Sequence, residues 1–337
     1  MSERFLIFSP IGVQSGGAEA LHQLCDGLNK LNQRALLVPF GKMRTPHPAY
    51  SNYLAPILAN PRFRTDDIVI LPEVVGRLPR KFDLMIPKQI FVWWLSIDNA
   101  SHPVARSLEE RSRRLHPDWG RPSKMNRGRA ITAFQSKLKV IQQRVDLSKY
   151  AALAQSDYAQ TFLREKFGLD ALIVGDYINT RGIEGEFHLN PKPVVLFNPF
   201  KGKELTDLLI ARLPEYEFKP IRNMTKYEVS EAMYKADLYL DLGHFPGRDR
   251  LAREAVIQRC PILIAKRGAG RNETDFNLPD KFKVDVNESG PSAVIVKMRR
   301  IISERESANT ELKSFREEIS NDFTFFMGEV RGFINSI

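Results

Sequence analysis

Residues 236–268 of this chain read as a strand, a polar loop, a helix and a second strand. The apolar runs at 238–242 and 261–265 are typical of buried parallel strands, and residues 251–258 have helical spacing between them. Such a unit is almost always right-handed, and its loop leaves the carboxyl end of the first strand, where open α/β sheets bind ligands. The sequence therefore predicts a ligand site in this loop.

The same alternation of strands and helices occurs in both halves of the 337-residue chain. In the first half, short apolar runs indicate strands at residues 5–9, 35–39, 67–71 and 89–95. A second series starts at residues 194–198, after an aperiodic stretch of glycines, prolines and charges. The length suits two domains of ordinary size, each with its own core. We therefore predict an α/β fold with two Rossmann-like domains, residues 1–180 and 181–337.

Residues 101–150 interrupt this pattern, and residues 101–145 within them form a strongly basic segment. It contains eleven lysines and arginines against three acidic residues, a net charge of +8 in a chain whose total is +10. Helical spacing at 106–115 and 130–145 predicts a basic helical insertion in the first domain. A solvated insertion fits this composition, and so does a membrane-surface element that places aromatics among headgroups and cations on anionic lipid. A nucleic-acid surface is disfavoured, because aromatics are few and the surrounding pattern is Rossmann-like.

Composition also disfavours several other classes of protein. No apolar run approaches the roughly 20 residues that span a bilayer, and the apolar stretch before Pro10 is too short for a signal-peptide core. We therefore expect a cytoplasmic protein. Cys25 and Cys260 lie in or at the end of amphipathic helices, which favours buried thiols over a disulfide. The six histidines lack ligand spacing and no Asp-x-Asp pair occurs, so no metal or other cofactor is expected.

Five segments carry a resemblance to a known family: SGGAEALHQL, FVWWLSIDN, AQSDYAQTFL, VVLFNPFKGKELTDLL and GHFPGRDRLAREA. In order and spacing they resemble the GT-B glycosyltransferases, and among these the retaining group with a GGAE-type N-terminus that builds bacterial capsule, O antigen or exopolysaccharide. The resemblance implies two Rossmann-like domains facing a cleft and sugar transfer from a nucleotide-sugar donor. The implied acceptor is a growing glycan, lipid-linked at the inner face of the plasma membrane, where the basic segment would meet an anionic surface. It leaves the oligomeric state open.

One position departs from the family pattern. The retaining group has two glutamates eight residues apart; the second corresponds to Glu254, but Pro246 stands in place of the first. Whether the anomeric centre is retained or inverted is therefore left open. Two other functions also stay open: a non-catalytic glycosyltransferase-like subunit that binds a glycan or a partner enzyme, and a nucleotide-sugar epimerase.

The implied reaction needs cations or N–H groups around the departing diphosphate, because no metal site is predicted. Arg248 and Arg250 flank Asp249 at the start of a predicted helix, and Gly247 before them would let the backbone approach a ligand. Glu254 resembles the family glutamate that binds the ribose hydroxyls. Each of these residues has a simpler explanation as a surface or loop residue, and Arg250 is also spaced to pair with Glu254.

A second group of candidates lies at the ends of other predicted strands and at a helix start. Asn198, at the end of one strand, is a candidate for binding the donor together with Lys201 and Lys203 after it, because a parallel sheet would bring them towards the GRDR loop. Gly16 and Gly17 open the first helix and resemble the place where the family's donor phosphates meet the first domain. Surface lysines and turn glycines are the simpler explanations.

Two residues are candidates for the chemistry itself. Asp98 follows a predicted strand and is the best carboxylate to act as general base towards an acceptor hydroxyl, although a capping or loop role explains it equally well. His244 is a candidate contact to the donor sugar or the diphosphate, with a structural loop histidine as the alternative. Trp93 and Trp94 point to opposite faces of their predicted strand, so at least one is expected in the core.

Overall fold

The computed structural model describes residues 3–41, 45–75, 87–97, 150–185, 190–287 and 290–337. These residues divide into two compact units, one within Met1–Gln155 and Ala159–Val174 and the other within Ser156–Tyr158 and Gly175–Ile337. The sequence predicts the domain boundary near residue 180. The predicted basic insertion, with its segment 101–145, and Asp98 lie outside the described residues.

The first unit is built on a six-stranded parallel sheet with the strand order β2-β1-β3-β4-β5-β6. Its strands are β1 (Arg4–Ser9), β2 (Ala35–Pro39), β3 (Asp67–Pro72), β4 (Gln89–Trp94), β5 (Ala151–Ala154) and β6 (Leu172–Ile173). Every residue of β1 and β3 is buried, as is typical of parallel strands covered on both faces. This explains why their sequences are nearly continuous apolar runs.

Helix α1 (Gly16–Lys30) begins where the glycine pair predicts it. Ser15 caps this helix, because its side-chain oxygen accepts a hydrogen bond from the N–H of Ala18. Helix α2 (Asp157–Phe167) follows β5. Trp93 and Trp94 are both fully buried, and Trp93 Nε1 donates to the carbonyl of Val174 at 2.9 Å. Both tryptophans therefore belong to the core of the first unit.

The second unit contains a five-stranded parallel sheet in the order β11-β10-β9-β7-β8. Its strands are β7 (Val194–Phe197), β8 (Glu217–Pro220), β9 (Leu238–Asp241), β10 (Ile262–Ala265) and β11 (Lys283–Val284). Its helices are α3 (Lys203–Arg212), α4 (Lys226–Lys235), α5 (Arg250–Ile257), α6 (Gly290–Ser303), α7 (Arg305–Glu311), α8 (Lys313–Ser320) and α9 (Asp322–Asn335). Strands β9 and β10 are entirely buried and form the centre of its hydrophobic core.

Both sheets reverse their strand order at one place, which we call the switch point. The first switch point lies between β1 and β3, and the second lies between β7 and β9. Chains leaving two such strands at their carboxyl ends turn away from each other and leave a crevice, where open α/β sheets bind ligands. The fold therefore singles out the segments that follow β1, β3, β7 and β9.

Candidate functional site

Loops that follow three strands meet at the second switch point. They comprise residues 198–202 after β7, residues 242–249 after β9, and residues 266–271 after β10. The last two are joined by backbone hydrogen bonds, because Phe245 N–H donates to the Arg267 carbonyl at 3.3 Å and Ala269 N–H donates to the Phe245 carbonyl at 2.9 Å. The loop predicted as a ligand site is thus fixed to its neighbour along the sheet.

Two glycines let the loop after β7 approach the loop after β9. Gly202 has a φ of +59°, and a Cβ at this position would lie 2.6 Å from the carbonyl carbon of Leu242. A Cβ on Gly243 would lie 2.2 Å from Cβ of Lys201. Side chains at either position would force the loops apart. Gly247, the glycine that the sequence predicts near a ligand, is buried, and the importance of Gly202 and Gly243 was not predicted.

Lys201 is the cation that this contact positions at the switch point. Its ammonium forms an ion pair with Asp249 Oδ2, and its Nζ lies 5.2 Å from the ring centroid of Phe245. The other oxygen of Asp249, Oδ1, accepts a hydrogen bond from Leu251 N–H at 3.2 Å and caps α5. The structure therefore brings together Lys201 and Asp249, two residues that the sequence placed on separate loops.

Asp241 is a third charged residue here, and sequence reasoning missed it. It ends β9, is almost completely buried, and accepts hydrogen bonds from Tyr239 Oη at 3.1 Å and Gly243 N–H at 3.0 Å. Burial raises the pKa of Asp241 to about 6; Asp249 also raises it, while Lys201 and the two hydrogen bonds oppose the shift. Burial and Asp241 raise the pKa of Tyr239 as well. The edge of the sheet thus holds two carboxylates around one ammonium.

The GRDR arginines are held by carboxylates of their own unit. Arg248 pairs with Asp322 at 3.0 Å and with Glu318 at 3.4 Å. Arg250 pairs with Asp176 at 2.7 Å, and its Nε lies 3.7 Å from Glu254 Oε1. The pairing of Arg250 with Glu254 that their spacing allows is therefore present. Both side chains are mostly buried, so these pairs fix the shape of the loop.

Arg253 joins these pairs into one network, which we call the arginine network: Arg248, Arg250, Arg253, Asp176 and Asp322. The Arg253 side chain has no solvent exposure and pairs with Asp176 at 2.7 Å and Asp322 at 2.9 Å. Burial alone would raise the pKa of Asp176, but Arg253, Arg250 and Arg248 together lower it to about 2. The signal for Arg253 in the sequence is its place between two buried alanines of α5.

Other predicted site residues of the second unit lie around this centre. Lys203 pairs with Asp207 on the exposed face of α3, and the Asn198 side chain accepts from Phe200 N–H at 3.0 Å. His244 meets Tyr158 edge to face, with ring centroids 6.5 Å apart. The structure therefore places Asn198 in the turn that leads to Lys201, and directs Lys203 to the helix surface.

The first switch point contains a carboxyl group that sequence reasoning also missed. Glu73 directly follows β3, is fully buried, and accepts a hydrogen bond from Leu95 N–H at 3.1 Å. Burial raises its pKa to about 8, although backbone N–H groups oppose the shift. Nearby strand ends carry Ser9 and Ser96, whose buried hydroxyls have no hydrogen-bond partner within the described part of the chain. Gly16 and Gly17 lie at the first turn of α1.

Three negative findings apply to the residues that the structure describes. No group of three or more His, Cys, Asp or Glu side chains is placed to hold a metal ion. No helix among them is long and apolar enough to cross a membrane. Cys25 and Cys260 are free buried thiols.

No protein-family model matches the sequence, and no curated protein matches it. Solved structures do match. A sucrose-phosphate synthase from Thermosynechococcus elongatus has a TM-score of 0.65 at 11% identity, covering 100% of this chain and 99% of that one. A glycosyltransferase from Rickettsia africae has a TM-score of 0.57 at 12% identity, covering 99% and 97%. The Anabaena protein HepE, solved in complex with UDP-glucose, has a TM-score of 0.53 at 13% identity, covering 99% and 100%.

At these identities the similarity establishes the fold. The chain has two parallel-sheet α/β units in series, the architecture of the GT-B glycosyltransferases, and the predicted fold class is confirmed in this respect.

Proposed function

We propose that this protein is a glycosyltransferase that moves a sugar from a nucleotide-sugar donor to a growing glycan. The observation that carries the proposal is Lys201, a partly buried ammonium held at the second switch point by the close approach of two loops. Open α/β sheets bind ligands at such a point, and a diphosphate is the anion that a nucleotide sugar would present there. Full-length similarity in fold to a sucrose-phosphate synthase and to a protein that binds UDP-glucose supports this choice of ligand.

In the proposed mechanism, Lys201 exchanges Asp249 for an oxygen of the donor diphosphate. It then neutralises the negative charge that grows on the leaving group as the glycosidic bond breaks. Gly202 is the N-cap residue of helix α3 and provides no side-chain cap, so we propose that the first N–H groups of this helix also bind the diphosphate. Cationic side chains and backbone donors supply the role that a divalent ion has in other transferases, and we propose that the reaction needs no metal.

The remaining second-unit candidates have supporting roles in this proposal. Arg248 and Arg250 contribute positive potential next to the diphosphate while their ion pairs shape the loop. Glu254 accepts hydrogen bonds from the ribose, as the resemblance implies, and His244 contacts the sugar or the diphosphate. Because Pro246 replaces the family's first glutamate, sugar recognition falls to other residues, and His244 is the nearest candidate.

The acceptor side of the proposal rests on the sequence. Asp98 remains the proposed general base, and the contribution of Gly16 and Gly17 to donor phosphates remains a prediction from the resemblance. We propose a bacterial surface glycan, such as capsule, O antigen or exopolysaccharide, as the acceptor, with segment 101–145 on the anionic inner face of the membrane. Vesicle binding should then require anionic lipid and weaken with salt. Binding that is indifferent to both would contradict the membrane role.

Thermal shift with a panel of nucleoside diphosphates and nucleotide sugars tests the donor site. One nucleotide should raise the Tm of the wild type, and Lys201→Met should abolish the rise. The matched control is Lys235→Met, because Lys235 also pairs with a carboxylate, Glu231, but on the exposed face of α4. It should respond to the nucleotide as the wild type does.

A flat panel for the wild type would favour a non-catalytic glycosyltransferase-like subunit. One observation is consistent with that second candidate: the arginines predicted to bind phosphate are paired with carboxylates of their own unit. A nucleotide response that survives in Lys201→Met would move the diphosphate site away from this edge of the sheet.

A further inference from the structure

Asp241 has no role in the mechanism proposed above, although it lies at the centre of the site. A buried carboxylate needs hydrogen bonds or an opposite charge to stay ionised. Asp241 has two hydrogen bonds, from Tyr239 Oη at 3.1 Å and from Gly243 N–H at 3.0 Å. For an opposite charge it depends on Lys201.

Charged groups on two elements act on Asp241 or on its hydrogen-bond partner. Lys201 comes from the loop after β7, Asp249 from the start of α5, and Glu254 acts from α5 through its effect on Tyr239. Lys201 is in direct contact with Asp249 and packs on Gly243, the residue whose N–H binds Asp241. One ammonium is thus shared between two carboxylates.

An anionic ligand changes this balance of charge. When a diphosphate attracts the ammonium of Lys201, Asp241 loses part of its stabilising charge and gains a negative neighbour. Both changes favour the neutral acid, and at the effective dielectric of a protein a charge within about 8 Å shifts a protonation equilibrium by about tenfold or more. Asp249 is more exposed and remains the cap of α5, so Asp241 is the carboxylate that responds.

We propose that an anionic ligand binds at Lys201 together with one proton, which Asp241 takes up from solvent. The inference rests on the proposed function, because it takes the diphosphate of a nucleotide sugar as the anion. The carboxylate becomes a carboxylic acid, Lys201 stays an ammonium, and no other bond forms or breaks. Since burial already raises the pKa of Asp241 to about 6, the uptake falls in the neutral range.

Proton uptake makes donor affinity depend on pH. Affinity falls as pH rises from about 6 to about 8, by up to tenfold per pH unit where a full proton is taken up. Tyr239 shifts this range, because its hydroxyl favours the charged form of Asp241. Removing that hydroxyl moves the pH dependence to higher pH.

Isothermal titration calorimetry of the full chain tests the proposal, with UDP-glucose as the probe because its phosphates do not titrate near neutrality. At pH 7 the binding enthalpy is measured in PIPES, MOPS and Tris, whose ionisation enthalpies differ. The slope of binding enthalpy against ionisation enthalpy gives the number of protons exchanged. The wild type should take up about half a proton or more, and Asp241→Asn close to none. Tyr239→Phe keeps the aromatic core and should still take up protons, at higher pH.

The outcomes separate the two proposals. If UDP-glucose binds wild type and Asp241→Asn with equal slopes, proton uptake by Asp241 is wrong and the donor site stands. If UDP-glucose does not bind, the titration is repeated with pyrophosphate. Pyrophosphate exchanges protons itself, so the value for Asp241→Asn is subtracted from the value for the wild type. Failure of both anions to bind the wild type overturns the anion site and proton uptake together. If Asp241→Asn shows no cooperative unfolding transition, Tyr239→Phe is the deciding variant. Proton uptake over the same pH range in Tyr239→Phe as in the wild type would contradict the proposal.

Discussion

The two switch points have the same strand order and opposite chemistry. At the first, the carboxyl edge carries Glu73, a buried acid whose pKa of about 8 keeps it largely neutral at pH 7. The Ser9 hydroxyl on the neighbouring strand has no hydrogen-bond partner among the described residues. At the second, Lys201 and Asp249 are an ion pair, and Asp241 is buried behind them. Topology alone therefore marks both edges, and the charges distinguish the one at which we propose that an anion binds.

The difference also lies in how each edge is held. In the first unit, Glu73 is buried and accepts hydrogen bonds from backbone N–H groups. In the second unit the loop after β9 is fixed by the arginine network, in which a fully buried guanidinium bridges two aspartates. We infer that the stability of the first edge depends on the proton of Glu73 and that the stability of the second depends on paired charges. Variants at each edge test this comparison.

Breaking the arginine network should have the largest effect. Arg253→Met removes the guanidinium that Asp176 and Asp322 share and leaves each with one arginine, Arg250 and Arg248, which should destabilise the second unit by about 3 kcal/mol. Hydrogen exchange by mass spectrometry should show faster exchange in peptides from α5 and α9. Arg300→Met, which removes an exposed pair with Glu304, is the control and should cost less than about 1 kcal/mol. Equal effects in the two variants would refute the assigned role of the network.

The first edge should respond to pH instead. The pKa of Glu73 rises from 4.5 to about 8 on folding, so between these values the folded unit keeps a proton that the unfolded chain has lost. Its contribution to the free energy of unfolding therefore falls as pH rises, by about 1.4 kcal/mol per pH unit in that window. Glu73→Gln should remove this slope. The free energy of unfolding of the variant should therefore increase relative to that of the wild type from pH 5 to pH 8.

Urea unfolding followed by tryptophan fluorescence measures this difference, because Trp93 and Trp94 lie in the core of the first unit. Parallel pH curves for the wild type and Glu73→Gln would mean that Glu73 is ionised in the folded protein, and the contrast between the two edges would then disappear.

The close approach of loops at the second edge can be disturbed by one methyl group. Gly243→Ala places a Cβ 2.2 Å from Cβ of Lys201, which should cost about 1–3 kcal/mol and displace the ammonium. Nucleotide stabilisation in the thermal-shift assay should be lost with it. In α9, Gly328→Ala meets no atom within 4 Å and should stabilise its helix by about 0.5–1 kcal/mol. Retained nucleotide stabilisation in Gly243→Ala would show that the contact does not position Lys201.

The smallest expected effect concerns the buried hydroxyl of Ser9 at the first edge. Ser9→Ala removes a buried hydroxyl without a described partner, so the free energy of unfolding should stay unchanged or rise by less than about 1 kcal/mol. Ser15→Ala is the matched serine control. It removes the cap of α1 and should lower stability by about 1 kcal/mol. A clear loss in Ser9→Ala would instead indicate a partner for this hydroxyl.

The fold was accessible from the sequence because apolar runs and helical spacing are local signals. Lys201 and Asp249 were both recognised, but their pairing depends on two loops that meet only through sheet order and two glycines. Arg253 was missed because an arginine on a short helix is usually exposed, and its partner Asp176 lies at the start of an aperiodic stretch. Glu73 follows five apolar residues and looks like the start of a loop, while its burial is a property of the folded sheet.

The two carboxylate oxygens of Asp249 make different contacts. Oδ1 holds the first turn of α5 through Leu251, and Oδ2 holds Lys201. When a ligand attracts the lysine, the helix therefore keeps its cap, and the exchange requires only the rotation of side chains. Side-chain rotation needs less rearrangement than local unfolding of a helical turn, which takes microseconds or longer. The lifetime of a bound nucleotide would then be set by the strength of its own contacts, with no contribution from melting of the element that presents them.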